Sequence, residues 1–201
     1  MVVNKGVVHM STNSTIFKKI ENGKYKGIYC HSDGYIGWNG ILLYTFYDTE
    51  EKVKELVDLG DLSILGARIG KEIDYERRCT DGDYYNSTRG QCVAYYRDRK
   101  DAVKSNFIEI QKEAINKQSF NYLYEDGVWW VSEGKKFILL KDALIHIFNA
   151  YDIKLILKRL GNSLTEEEMQ KVVKKIKPLV TVKEPVDYVI LKQRGLMYDV
   201  M

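Results

Sequence analysis

Cys30, His31 and Asp33 are the residues of this chain whose types could support covalent chemistry. A cysteine becomes a nucleophile when a base takes its proton, and an acid can orient that base. Cys30 and His31 are adjacent in a run that reads as a strand, however, and neighbouring strand side chains point to opposite faces. Asp33-Gly34 is also ordinary turn chemistry. The three are therefore read as a buried cysteine, a packing or surface histidine and a turn aspartate, and no catalytic residue is assigned. The alternative they leave open is an enzyme acting on a nucleotide or peptide through Cys30 or His31.

A second group of residues points to binding. Arg77, Arg78 and Arg89 flank Tyr84 and Tyr85. Guanidinium groups beside aromatic rings can grip phosphate and stack a base. Tyr35 and Trp38 lie in the glycine-bearing stretch Gly34–Asn39. Tyrosine, tryptophan and arginine are the types enriched at binding hot spots. Tyr35, Trp38, Arg77, Arg78, Tyr84, Tyr85 and Arg89 are thus the expected working surface, displayed on loops rather than on the C-terminal helices. His31, Asp33, Cys79, Asp81, Asp83 and Cys92 could in principle ligate a metal. The run Cys79-Thr80-Asp81-Gly82-Asp83 falls short of a calcium loop, with Gly90 where the closing glutamate would stand. Gly34, Gly37 and Gly40 match neither a Walker nor a dinucleotide pattern. Neither a metal nor a cofactor is assigned.

The elements that must carry these residues follow from local signals. Strands are expected at Lys24–His31, Gln91–Arg97, Asn121–Tyr124, Val128–Ser132 and Phe137–Leu140, the third and fourth joined by a turn at Glu125-Asp126-Gly127. Ile41–Tyr47 inclines to helix. Asp48–Gly60 reads as a helix with a capping box of Asp48 and Glu51, and Ala102–Lys117 as a helix with Phe107, Ile108 and Ile110 inward. Gly66–Gly90 reads as an extended loop or irregular hairpin. Helical spacing links Ala143, Leu144, Ile147, Phe148, Tyr151 and Leu155, with Gly161 as a stop. A last helix starts at Thr165, whose box partner is Glu168, and closes at Pro178. Val186–Leu191 could add an edge strand. Runs of strands interrupted by amphipathic helices, without βαβ alternation, give an α+β fold with an antiparallel sheet. Residues 1–21 read as a leader, 22–140 as the α+β domain and 141–201 as a helical extension.

The totals narrow the function classes. A chain of 201 residues can bury a core without metals or disulfides. Three cysteines without a CxxC pair argue against a disulfide scaffold. The net charge of +3 lies wholly in Tyr151–Met201, which excludes an acidic nucleic-acid mimic and leaves nucleic-acid binding possible but not favoured. No run reaches the ~18 apolar residues of a membrane span. Fifteen tyrosines and three tryptophans suit sheet faces and binding surfaces alike.

Within Tyr25–Leu65, the segments Tyr29-Cys30-His31-Ser32-Asp33-Gly34-Tyr35 and Leu59-Gly60-Asp61-Leu62-Ser63-Ile64-Leu65 bracket the first helices. This arrangement resembles a group of small phage and prophage accessory proteins with a Tyr-Cys-His-x-Asp-Gly-Tyr segment and a Leu-Gly-Asp-Leu-Ser-x-Leu turn. The likeness continues weakly through Cys92–Arg99 and the Tyr122–Trp130 hairpin. The resemblance implies no particular chemistry. It implies a non-enzymatic protein in the cytoplasm of a host cell that binds a host protein or a small-molecule signal, with antagonism of host defence as its purpose. A nucleic-acid module built on Arg77–Arg89 is the other reading.

Overall fold

Ser14–Lys19 forms the strand on which the sheet is centred, here β1. The computed structural model describes residues 12–180 except positions 110, 116, 134 and 135. β1 runs antiparallel to β2 (Tyr25–Cys30), with Ser14 opposite Cys30 and Lys19 opposite Tyr25. A π-helical turn at Ile36–Gly40 then runs into α1 (Ile41–Phe46), followed by α2 (Glu50–Asp58) and β3 (Leu62–Ile64). Two short helices, α3 (Tyr75–Thr80) and α4 (Gly82–Thr88), precede β4 (Val93–Ala94), the single turn α5 (Tyr95–Asp98) and β5 (Phe107–Glu109). The meander β6 (Phe120–Glu125), β7 (Val128–Ser132) and β8 (Ile138–Leu139) leads into α6 (Leu140–Ala150), α7 (Ile153–Gly161) and α8 (Glu166–Ile176).

The strands make one mixed sheet in the order β4–β3–β2–β1–β6–β7–β8, with β5 paired on β2. Pairing is mostly antiparallel, and β1–β6 and β2–β3 are parallel. The fold is α+β.

Strand alternation divides the core in two. Ile16, Ile28, Tyr122, Tyr124, Trp129 and Val131 face one way, into the main cluster with Leu42, Leu56, Leu144 and Val172 from the helices. Each such fully buried aliphatic side chain contributes roughly 1.5–3 kcal/mol. Trp129 Nε1 donates to the Tyr47 carbonyl at 2.7 Å, which fastens the hairpin to the α1–α2 junction. Phe17, Tyr25 and Leu123 face the other way and are covered by Phe107, Ile115, Trp130 and Phe137.

Several expectations need correction. Ala102–Lys117 is not a helix. β5 pairs on β2 so that Phe107 reaches Phe17, with ring centroids 6.1 Å apart, and a short 3-10 turn at Lys112–Ala114 brings Ile115 over the sheet. Of Gln91–Arg97 only Val93–Ala94 is strand. The buried Asp98 carboxylate accepts from the amides of Ala94 (2.7 Å) and Ile73 (3.1 Å), which winds the chain into α5. Gly66–Gly90 contains α3 and α4 rather than a bare loop. Asp74 accepts from the Arg77 amide and Asp81 from the Tyr84 amide, each at 3.0 Å, as N-caps do.

The α2 cap is Thr49, which accepts from the Lys52 amide at 3.4 Å, while Asp48 pairs with Lys52 and Lys175. Thr165 and Glu168 form the expected capping box. The long helix expected from Ala143 to Gly161 breaks at Tyr151, where Asp152 caps α7 by accepting from the Lys154 amide at 2.9 Å. Val186–Leu191 lies outside the described residues. Among the described residues no helix is long and apolar enough to cross a membrane.

Candidate functional site

Alternation along β2 sends Cys30 and His31 to opposite sides. Cys30 is fully buried; its Sγ lies 3.6 Å from the Ser32 carbonyl and accepts from Asn39 Nδ2 at 3.4 Å. Burial pushes the thiol up to about 12. His31 is exposed, and its Nδ1 lies 2.9 Å from the Tyr29 hydroxyl. The thiol therefore has an amide and a carbonyl beside it rather than a base. Alkylation of the native protein at pH 8 is expected to label exposed Cys79 quickly and Cys30 only after unfolding, as mass spectrometry of timed samples would reveal. Cys30→Ser should lower stability by about 1 kcal/mol, because Ser32 and Asn39 remain as hydrogen-bond partners for a hydroxyl. Rapid native labelling of Cys30 would overturn this assignment.

Cys92 is equally enclosed. Its Sγ lies 3.2 Å from the Tyr47 hydroxyl and accepts from the Gly66 amide at 3.3 Å, and burial raises the thiol. Among the described residues no three His, Cys, Asp or Glu side chains are grouped to hold an ion.

The expected binding residues divide into two sets. Arg77 is paired to Asp81 at 3.0 Å and lies 4.5 Å from the Tyr84 ring centroid. The Tyr84 hydroxyl accepts from the Asp74 amide at 2.9 Å. Arg78 is buried, donates to the Thr88 carbonyl at 2.6 Å and sits over Tyr85; burial lowers its pKa. Arg89 Nη2 donates to the carbonyls of Gly161 (2.6 Å) and Leu164 (2.7 Å), and the Tyr85 hydroxyl donates to Asn162. These residues hold α3 and α4 closed and fasten them to the α7–α8 junction.

Tyr35 and Trp38 stand apart from that set, beside a groove. Asp33 adopts a left-handed φ of 57°, and the Gly34 amide donates to the Thr12 carbonyl at 2.6 Å. This turn starts the π-helical segment and sets Tyr35 edge-on to Trp38, with centroids 6.5 Å apart. The two rings border a groove of about 420 Å³ whose opposite wall comes from α6 and α7. Phe120 and Ile156 deepen it; Tyr151 and Leu155 stand at its lip, 65% and 53% exposed. Glu133, Asp152 and Arg159 supply its charges. Burial and the nearby Asp33 carboxylate raise the Tyr35 phenol, while Arg159 beside it acts the other way.

Reading the sequence locally missed Phe120, Tyr151, Leu155 and Arg159. Tyr151 and Leu155 matched the buried stripe of one continuous helix. Asp152, an N-cap residue type, was the available sign that the helix ends there and that both side chains turn outward. Compared with family models, with curated proteins and with solved structures, the chain gives no match in any of the three.

Proposed function

We propose that the protein is a non-enzymatic binding protein that seats an apolar side chain of a partner protein in the groove between the Tyr35–Trp38 turn and α6–α7. The observation that carries this reading is the pair Tyr151 and Leu155. Both are large side chains left 65% and 53% exposed at the mouth of an aromatic-walled groove. Folding normally withdraws such surface from water, and contiguous exposed apolar surface marks interaction sites. A groove with tyrosine and tryptophan walls and a charged rim has the make-up of an interface hot spot.

The resemblance of Tyr25–Leu65 to phage accessory proteins supports a partner from the host cell, with antagonism of a defence protein as the purpose. A small-molecule signal is the second reading, and the groove's volume of about 420 Å³ favours it, since small-ligand pockets start near ~300 Å³.

The test compares wild-type protein with Leu155→Glu, Tyr151→Ala and Arg77→Glu as baits in host lysate, beside native mass spectrometry of the isolated protein. Loss of a hot-spot side chain is worth about 2 kcal/mol, so Leu155→Glu should weaken capture roughly thirtyfold. Arg77→Glu should capture the same partner as wild type. Capture unaffected by both groove variants but lost in Arg77→Glu would return the function to the arginine segment. A retained small molecule displaced by the groove variants would favour the second reading.

A further inference from the structure

A second cleft, of about 220 Å³, is organised by Asp61. Asp61 Oδ1 accepts from the Tyr29 amide at 2.8 Å, its carbonyl accepts from the Tyr95 amide at 3.0 Å, and its own amide donates to the Ser105 carbonyl at 3.1 Å. One residue thus ties β2, α5 and the segment before β5 around an opening. Tyr29, Tyr95 and Tyr96 wall that opening, and Asp61 and Asp101 supply its charge. Tyr96 is 48% exposed and stands at the rim.

Four of the neighbouring cations have partners of their own, and Lys104, between the lining residues Val103 and Ser105, lays its stem against Gly60. Lys26 pairs with Asp58 at 2.7 Å, Arg97 with the adjacent Asp98 at 2.8 Å, and Lys100 with Glu72. Arg99 stacks between the Tyr75 and Tyr95 rings, 4.5 and 4.8 Å from their centroids, and donates to Ser63 Oγ at 3.1 Å. Two carboxylates facing a partly desolvated cleft repel one another. Burial, together with Asp101, raises the Asp61 carboxyl, and the Tyr29 amide alone offsets them. A cation entering the cleft would relieve that repulsion and lie beside the tyrosines that line it.

We propose that this cleft binds an alkylammonium group, with Tyr29 and Tyr96 as its aromatic walls and Asp61 and Asp101 the countercharge. Its size suits a cationic head rather than a drug-sized body, which needs ~300 Å³ or more. The head could belong to a free amine or to a lysyl side chain of a partner; the chemistry of the seat is the same.

Calorimetric titration of the full chain with n-butylammonium chloride, and separately with acetyl-Gly-Lys-Gly-amide, tests the proposal. Asp101→Asn and Tyr96→Ala are the variants, because both positions are exposed and leave the Asp61 hydrogen bonds in place. Saturable binding is expected to at least one probe, weakened about tenfold by Asp101→Asn and several-fold by Tyr96→Ala. Leu155→Glu, in the other groove, should leave it unchanged. Tighter binding of butylammonium assigns a free amine and tighter binding of the peptide a lysyl side chain; either supports the ammonium seat. Absence of saturable binding up to about 100 mM with both probes, or equal affinity in wild type and both variants, overturns it.

Discussion

Gly34→Ala is expected to destabilise the fold by about 3 kcal/mol, or to prevent folding altogether. A Cβ at this position would lie 2.5 Å from the carbonyl carbon and oxygen of Asn13 and 2.8 Å from the Ser14 nitrogen. These are backbone atoms leading directly into β1, so no side chain can swing aside. Retreat is blocked on the other side as well. The Gly34 amide donates to Thr12 at 2.6 Å, and the Gly34 carbonyl accepts from the buried Tyr122 hydroxyl at 2.8 Å. β1 is held between β2 and β6 and can shift only by giving up ladder bonds on both sides. Gly82→Ala is the control, because nothing lies within 4 Å of its added Cβ. Urea unfolding of both variants measures the difference, and a loss below about 0.5 kcal/mol for Gly34→Ala would contradict the close approach.

Asn121→Ala should cost a similar amount, about 3 kcal/mol. Asn121 is fully buried in β6. Its Oδ1 accepts from Thr15 Oγ1 (2.8 Å) and from the amides of Lys117 (3.0 Å) and Gln118 (3.1 Å). Its Nδ2 donates to the Gln118 carbonyl at 2.9 Å. One side chain therefore joins β1 to β6 and shapes the turn entering β6. Alanine strands the buried Thr15 hydroxyl, removes the acceptor of the partly buried Lys117 and Gln118 amides and empties a fully buried site; each buried unsatisfied group carries a penalty of roughly 1–3 kcal/mol. Thr15→Val removes a single partner and should cost about 1 kcal/mol. Equilibrium unfolding gives the stabilities, and hydrogen exchange at the Lys117 and Gln118 amides gives the local effect. Unchanged protection of those two amides in Asn121→Ala would contradict the assignment.

The sequence by itself determined the features whose causes lie within a few residues along the chain. Aromatic alternation around Asp126-Gly127 specified the β6–β7 hairpin, and Thr165 with Glu168 specified the start of α8. Period-two geometry placed Cys30 and His31 on opposite sides, which separates the thiol from its nearest potential base. Those signals were enough for the α+β class. They were not enough for β1, whose Ser14 and Thr15 look like solvent-facing residues. Asn39 and Asn121 satisfy them from 25 and 106 residues away, and only that pairing lets two polar side chains occupy the centre of a sheet.

Tertiary structure likewise decided the sites. The arginines of residues 77–89 carry the residue types of a binding surface. Whether a guanidinium meets solvent or a carbonyl depends on what folds against it, and Arg89 meets the carbonyls of Gly161 and Leu164. β5 had helical spacing in the sequence, yet the free edge of β2 and the open face over Phe17 drew it into the sheet. The groove needed the turn after β2, the start of β6 and the break at Asp152 to meet at one place. Periodicity and capping act over about one helical turn, and nothing in them encodes which distant surfaces will share a boundary with water.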